Sequence, residues 1–375
     1  MADLPGRPLQ PVLFVEPDVA DDSTAMLRPF LAQPPVVVAD WGRGMPARAK
    51  RLWGSALWQR DVVSLRAFQA QRIDLVFQHA AWYGLRFPMP TLAWIADLQH
   101  RRLPQMFSLA NRLKRDLGYA ALSRCATRIL VSSEDAASDC ARFFPHSAAR
   151  LSVLPFCVTP PDTAQQLDPA EVIQLHGLPE RYIYLPNQLW RHKNHLLVLQ
   201  ALQLLKQRGE PVVVAASGRA ADSRNPTHPQ HVLRQAEALG LSAMFRYLGM
   251  VPYGHVMPLI RGSAALLNPS LFEGWSTTVE EGKALGVPLL LSALPVHREQ
   301  AAGRARFFDA HSADELAACL AAAWHEEPPA AARLAQEHAA LTAYGNLRLQ
   351  FAKQFAEIVA QTASQGSNRY ASETH

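Results

Sequence analysis

Short, almost unbroken apolar runs recur along the chain, separated by stretches in which apolar residues return at three- and four-residue intervals. In the first half the runs are Val12–Val15, Val36–Val38, Ile73–Phe77, Thr91–Ile95 and Arg128–Ser132. In the second half they are Tyr182–Pro186, Val212–Ala215, Phe245–Leu248, Ala264–Leu267, Leu289–Leu291 and Arg306–Phe308. Runs of this length without apolar–polar alternation predict strands buried on both faces, as in a parallel sheet covered by helices. The intervening periodicity predicts helices over Asn194–Arg208, Pro229–Leu239, Thr277–Leu285, Ala313–Trp324 and Ala330–Ala339. Two consecutive βα arrays imply an α/β protein with two doubly wound, Rossmann-like domains facing across a cleft.

The stiff, turn-rich segment Thr159-Pro160-Pro161-Asp162 is the best boundary between the arrays. It divides the chain into an N-terminal domain, residues 1–160, and a C-terminal domain, residues 161–345. Residues 346–375 are expected to form a terminal helix and a flexible tail. Leu347, Phe351, Phe355, Ile358 and Val359 lie on one stripe of a helix over Gly345–Gln361, whereas Gln361–His375 is polar and expected to fray.

A composition of 49% hydrophobic and 18% charged residues argues against general disorder. No apolar run approaches the ~18 residues of a membrane-spanning helix. Met1–Pro5 has neither the basic start nor the apolar core of a secretory signal, and Cys125, Cys140, Cys157 and Cys319 have no metal or disulfide spacing. Together these features predict a cytoplasmic protein with reduced thiols. The net charge of +5 is unevenly spread: up to Cys157 there are 19 Lys and Arg against 13 Asp and Glu, and beyond it 18 against 19. A basic N-terminal half suits an anionic membrane surface or a phosphate-bearing acceptor. Nucleic acid is not expected as a partner, because the basic residues are scattered and no recognition motif is present.

The segment Phe272–Gly286 is the most informative for chemistry. It follows an apolar strand and contains Glu273, then Gly274-Trp275-Ser276-Thr277-Thr278, then Glu281 inside a predicted helix. Ser276, Thr277 and Thr278 are good capping and first-turn residues, and free N–H groups at a helix start suit phosphate or sugar oxygens. Glu273 can face the polar head of a ligand while Glu281 accepts hydrogen bonds from a diol such as ribose. Upstream, Leu185–His195 leaves a strand, turns and enters a helix, carrying Arg191 and Lys193 to the carboxyl edge of the second sheet, where ligands bind in open α/β folds. Cations at a helix N-terminus oppose its dipole and call for an anion nearby. His192, His195, His228 and His231 lack an acidic or sulfur ligand to complete a metal site.

This pattern resembles the Glu-x7-Glu motif of retaining glycosyltransferases of the GT-B fold, of the family 4 (group 1) type. The resemblance covers roughly Arg181–Gln300 well and the N-terminal domain by layout and by the Asp97–His100 segment. It implies that the last helix crosses back to the first domain. It further implies that Lys193 grips the diphosphate of a nucleotide-sugar donor, with Arg191 replacing an arginine that many relatives carry where this chain has Asn187-Gln188. Glu273 would position the sugar and Glu281 the ribose. Met250, Val251 and Tyr253 would lie beside the base, with Ser217-Gly218-Arg219 near the same cleft. Asp97 and His100, and more weakly His79, would contact the sugar or acceptor. Two departures stand out. Ser276 replaces a second glycine, and Glu16–Ser23 lacks the paired glycines common in the first loop.

The function so implied is metal-independent, retaining transfer of a hexosyl group from a nucleoside diphosphate donor to a glycan or lipid-linked acceptor. The expected setting is bacterial surface polysaccharide or glycolipid assembly, in the cytoplasm or peripherally on the inner face of the plasma membrane. No cofactor is expected beyond the donor itself, and no Asp-x-Asp motif is present to hold a divalent ion. A nucleotide-sugar epimerase or hydrolase of the same fold, or a non-catalytic nucleotide-binding subunit, are the alternatives. The two glutamates with the Trp190–His195 loop favour the transferase over both.

Overall fold

A computed structural model describes residues 9–15, 36–38, 53, 59–78, 82–158, 167–326 and 328–373. The linker Thr159–Asp162, the loop Glu16–Ser23 and His79 lie outside the described residues. Strands β1 (Leu13–Val15) and β2 (Val36–Val38) pair in parallel, and β3 (Val76–Gln78), β4 (Thr91–Trp94), β5 (Arg128–Val131) and β6 (Leu151–Val153) form a four-stranded parallel sheet in that order. The second sheet comprises β7 (Ile183–Leu185), β8 (Val214–Ala216), β9 (Phe245–Tyr247), β10 (Ala265–Asn268), β11 (Leu289–Ser292) and β12 (Ala305–Phe308). All its pairings are parallel, in the order β12-β11-β10-β7-β8-β9. This is the doubly wound arrangement, in which the strand order reverses between β7 and β10 and opens a crevice at their carboxyl ends.

The continuous apolar runs are explained by burial on both faces. Ile183 and Leu185 join a core with Leu199, Leu202 and Leu205 of helix His195–Gln207 and with Leu316 and Leu320 of helix Ala313–His325. Tyr182 and Tyr184 point the other way, into a core with Met257, Ile260, Val279 and Leu285. One strand of the first sheet, β6, lies outside the expected runs and ends at Val153. Leu154 still donates its N–H to Val131 (2.8 Å), after which Pro155 has no N–H to continue the ladder.

The C-terminal region differs more. The expected helices over Ala330–Ala339 and Gly345–Gln361 are one helix, Ala330–Glu373, which also runs through the tail expected to fray. A mid-helix glycine costs about 1 kcal/mol relative to alanine, and contacts on both sides of Gly345 outweigh it. Before it, Arg261 pairs with Glu337 (2.7 Å), and Arg333 donates to the carbonyls of Arg261 and Ser263 (2.9 Å each). Beside it, Tyr344 donates a short hydrogen bond to buried Glu280. After it, Phe351, Phe355, Ile358 and Val359 pack on Leu92, Leu130 and Leu154 of the first domain. The helix therefore crosses back from the second domain to the first, as the resemblance implied.

Tyr344→Phe leaves a buried carboxylate oxygen short of a donor and should lower stability by about 1–3 kcal/mol. Urea unfolding checks this; an unchanged midpoint would show that the hydroxyl does not help to hold the crossing helix.

Candidate functional site

Strand β7 ends at Leu185, before Pro186, and the following loop is folded back by backbone hydrogen bonds before a single 3-10 turn over Arg191–Lys193. Asn194 then adopts the left-handed conformation (φ 60°) and donates from Nδ2 to the carbonyls of Pro269 (3.1 Å) and Ala310 (2.8 Å). Asparagine is one of the few side chains that takes this conformation readily. Here it pins the basic turn to the loop after β10. Leu271 completes the stitch by donating its N–H to the His192 carbonyl (2.8 Å).

The consequence is an ion pair across the crevice between β7 and β10, with Lys193 Nζ 2.6 Å from Glu273 Oε1. The same carboxylate accepts from Ser270 Oγ (2.7 Å), and Asn268 Nδ2 lies 3.4 Å away. Burial pushes the Glu273 carboxyl up, but the opposing pull of Lys193 and His297 and the hydrogen bonds prevail and hold it at about 2. Glu273 is therefore an anion at neutral pH.

Behind it, Asn268 donates to Ser276 Oγ (2.9 Å), and Ser292 Oγ donates to the Ser270 carbonyl (2.6 Å). Gln300 bridges both ends of the turn, accepting from Ser276 N–H (3.2 Å) and donating to the Ser276 carbonyl (2.7 Å). Ser276 is the N-cap of helix Thr277–Ala284, accepting from Val279 N–H. Its own N–H is thus taken by Gln300, whereas the N–H groups of Thr277 and Thr278 have no partner among the described residues.

Glu281, inside the helix that Ser276 caps, is 8% exposed. Its carboxylate has no hydrogen-bond partner among the described residues, and burial alone pushes its carboxyl up to about 7. Its charge adds to burial in raising the Tyr184 and Tyr253 hydroxyls above their ordinary values. Met250 and Tyr253 are 64% and 57% exposed at the start of helix Tyr253–Gly262, with half-buried Val251 between them.

Three loops meet here. Gly218 (φ 139°) donates its N–H to the Gly249 carbonyl (2.8 Å), and a Cβ on it would meet Asn187 O and Gln188 N at 2.8 Å. Only glycine allows that approach of the β8 loop to the β7 loop. Asn187 is buried with Nδ2 unpartnered, and Gln188 is exposed.

The N-terminal domain closes directly on this site. Ser133, N-cap of helix Glu134–Phe143, donates from Oγ to the Gly274 carbonyl (2.9 Å). A Cβ on Gly274 would meet Ala96 O at 2.3 Å and Asp97 Cβ at 3.0 Å. Asp97 is therefore opposite Gly274, its Oδ1 accepting from Gln99 N–H (2.9 Å). Trp275 anchors the same loop by donating to the Phe156 carbonyl (2.8 Å).

Two further expected residues have partners of their own. His100 is buried in the first domain, its Nε2 2.8 Å from Asp116 and its ring beside Phe107 and Tyr119. Burial lowers its pKa despite Asp116. Arg191 is exposed and tied through its N–H to Asp222 (3.2 Å). The cation that sequence reasoning missed is Arg224. It stacks over Phe107 (5.0 Å) and Trp190 (5.4 Å) and donates to Gln99 Oε1 (2.9 Å), so that it bridges the domains. It lies in a polar loop with no periodicity, and only the turn-forming Asp222-Ser223-Arg224-Asn225-Pro226 hinted at a fixed position. His192 and His195 are buried and neutral, each pushed down to about 3 chiefly by burial. Among the described residues no three His, Cys, Asp or Glu side chains gather as a metal site.

Two parallel-sheet α/β domains, a crossing C-terminal helix and a crevice at the β7/β10 reversal are the features of the GT-B glycosyltransferase fold. Solved structures agree on the fold at low identity. A glycosyltransferase from Rickettsia africae superposes with a TM-score of 0.65 at 14% identity, covering 92% of this chain and 97% of that one. HepE of Anabaena, solved in complex with UDP and glucose, gives 0.60 at 14% identity over 96% and 91%. WaaG, a glycosyltransferase involved in lipopolysaccharide biosynthesis, gives 0.60 at 17% over 86% and 86%. Residues 171–340 match the family described as Glycosyl transferases group 1. A search of curated proteins returned no match.

The high value at Glu281 has a sign that can be tested. Its ordinary value is 4.5 and its folded value about 7, so the folded protein holds this proton more tightly, and stability falls as pH rises between them. Glu281→Gln removes the buried charge and should stabilise the free protein by about 1–3 kcal/mol near pH 8. The gain should vanish near pH 4. Thermal unfolding across this range checks it; a variant less stable than the parent at the higher pH would contradict an uncompensated Glu281.

Proposed function

We propose that this chain is a retaining, metal-independent glycosyltransferase that moves a hexosyl group from a nucleoside diphosphate to a glycan or lipid-linked acceptor. The observation that carries this reading is the convergence of Lys193, Glu273 and Glu281 on one crevice, at the point where the sheet order reverses. Lys193 and the N–H groups of Thr277 and Thr278 supply positive charge for a diphosphate. In the free protein Lys193 neutralises Glu273; with donor bound, phosphate oxygens would share the ammonium while Glu273 turns a hydrogen bond toward the sugar. Glu281, buried without a partner, suits a ribose diol, and the exposed Met250 and Tyr253 suit the face of a base. Asp97, opposite Gly274, is the N-terminal residue we retain for the sugar or acceptor. His100 is committed to Asp116 and is not retained. Arg224 takes the place of Arg191 as the second cation at the cleft.

Transfer breaks the bond between the anomeric carbon and the phosphate oxygen and forms one from that carbon to the acceptor oxygen. The resemblance implies that both occur on the same face, with the departing phosphate taking the acceptor proton. No protein nucleophile is then needed. Support for the donor class comes from HepE with UDP-glucose and from a trehalose-6-phosphate protein of E. coli bound with UDP-2-fluoro glucose, both of this fold. WaaG supports a place in cell-surface glycolipid or polysaccharide assembly. No described helix is long and apolar enough to cross a membrane. We place the enzyme in the cytoplasm or at the inner membrane face.

A thermal-shift panel of nucleoside diphosphates tests the reading: at least one should stabilise the parent, and less so Glu281→Gln. No shift with any of them would overturn it. Lys193→Ala should lower turnover by the equivalent of about 2–4 kcal/mol. It should also lower stability, because it strands buried Glu273; single-turnover rates below the unfolding temperature separate the two effects. Turnover should be unchanged by excess EDTA, and a loss restored by manganese or magnesium would overturn metal independence.

A further inference from the structure

Helix Thr277–Ala284 carries a second carboxylate besides Glu281, and the proposed donor site does not use it. Glu280 is buried, and both of its oxygens are engaged. Oε1 accepts from Lys283 Nζ (2.8 Å) and from Gln300 Nε2 (2.8 Å), and Oε2 accepts the short hydrogen bond from Tyr344. Removing a donor from a buried carboxylate is costly, so each of the three is held in place by the others' fit around one charge.

Gln300 passes this constraint to the turn that follows Glu273. It too is buried, and its amide has one satisfactory orientation. Oε1 faces the Ser276 N–H (3.2 Å), while Nε2 faces the Ser276 carbonyl (2.7 Å) and Glu280. A methionine in its place would strand the Ser276 N–H, and a glutamate would set a second carboxylate against Glu280. Ser276 in turn caps the helix whose first N–H groups, on Thr277 and Thr278, are assigned above to a diphosphate.

The same carboxylate reaches both places where the chain passes between the domains. Tyr344 belongs to the crossing helix, which is the second passage. Lys283 lies over the rings of both Tyr344 and Trp275, 5.9 Å from each ring centre. Trp275 donates to the carbonyl of Phe156 (2.8 Å), just after β6, where the chain leaves the first sheet. A cation shared by two rings is attracted to each of them, so Lys283 links the two passages as well as pairing with Glu280. At the far end of the helix, a Cβ on Gly286 (φ 66°) would meet Gln336 O at 2.8 Å, so that end also rests against the crossing helix.

We propose that Glu280 is a positioning residue: through Gln300 and Lys283 it couples the two interdomain passages to the turn over residues 274–278, which keeps its phosphate-binding form only while both passages are in place. The proposal rests on the preceding reading for the role of the turn, but not for the coupling.

Hydrogen–deuterium exchange of the free protein, well below its unfolding temperature, tests the coupling without a ligand. Tyr344→Phe and Gln300→Met should each raise exchange over residues 274–279 by at least about fivefold, the equivalent of one hydrogen bond. Helix Ala313–His325, which packs on the opposite face of the second sheet, should exchange as in the parent. Lys283→Met should loosen the same turn, and Lys283→Arg, which keeps the cation, should restore it. The affinity for whichever of the nucleoside diphosphates stabilises the parent should fall by at least about threefold in Tyr344→Phe, although Tyr344 touches no residue assigned to the donor. Parent-like exchange of the turn in Tyr344→Phe, a rise that spreads equally to helix Ala313–His325, or a Lys283→Arg variant that behaves as Lys283→Met would overturn the proposal. So would an unchanged nucleotide affinity in Tyr344→Phe. If no nucleoside diphosphate binds the parent while the turn still responds to Tyr344→Phe, the transferase reading fails and the coupling stands; if nucleotide binds the parent and the turn does not respond, the reverse is true.

Discussion

Glu273 is withdrawn from water at the mouth of a parallel-sheet crevice, and a buried carboxylate is tolerated only with a counter-charge and satisfied oxygens. Much of the second domain can be understood as meeting that requirement. Asn194, in the left-handed conformation, turns the basic segment so that Lys193 reaches the carboxylate, and Asn268, Ser270 and Ser276 fix the opposite wall. Gln300 then locks the turn that enters the helix of Glu281. Such a shell positions charge before any substrate arrives, which is how an electrostatically catalysed transfer avoids reorganisation in its transition state.

The two glutamates illustrate how one element yields opposite protonation behaviour. They stand eight positions apart in sequence and both are withdrawn from solvent, yet one is held at about 2 and the other pushed up to about 7. The difference lies in their partners. Glu273 faces a lysine, whereas Glu281 has no hydrogen-bond partner among the described residues. A carboxylate left without donors inside a cleft is poised for a ligand that brings hydroxyl groups, and binding such a ligand near neutral pH would favour its ionised form.

Closure couples this site to the rest of the molecule. Gly274 touches Ala96 and Asp97, Ser133 binds its carbonyl, Glu299 accepts from Glu134 N–H (3.0 Å), and Arg224 spans Phe107 and Trp190. On the far side, Glu280 in the Glu281 helix binds Tyr344, so that this helix is also the anchor of the crossing helix. These contacts make the relative position of the domains part of the site.

The sequence by itself determined the two parallel βα arrays, because strands buried on both faces must be written as continuous apolar runs. It also determined the motif loop and its helix, because capping residues and a glycine turn act locally. It placed Glu273, Glu281 and Lys193 at the carboxyl edge by their position after strands. What it did not contain was anything that depends on elements distant in the chain. Arg224 reached the cleft only because a polar loop after β8 folds against Phe107 of the other domain. His100 met Asp116 inside its own domain rather than the cleft. The terminal helix ran through Gly345 because residues on either side of that glycine found partners on two domains. Local propensity and periodicity are properties of neighbouring residues, whereas charge compensation, closure and burial are settled between surfaces that meet only once the chain is folded.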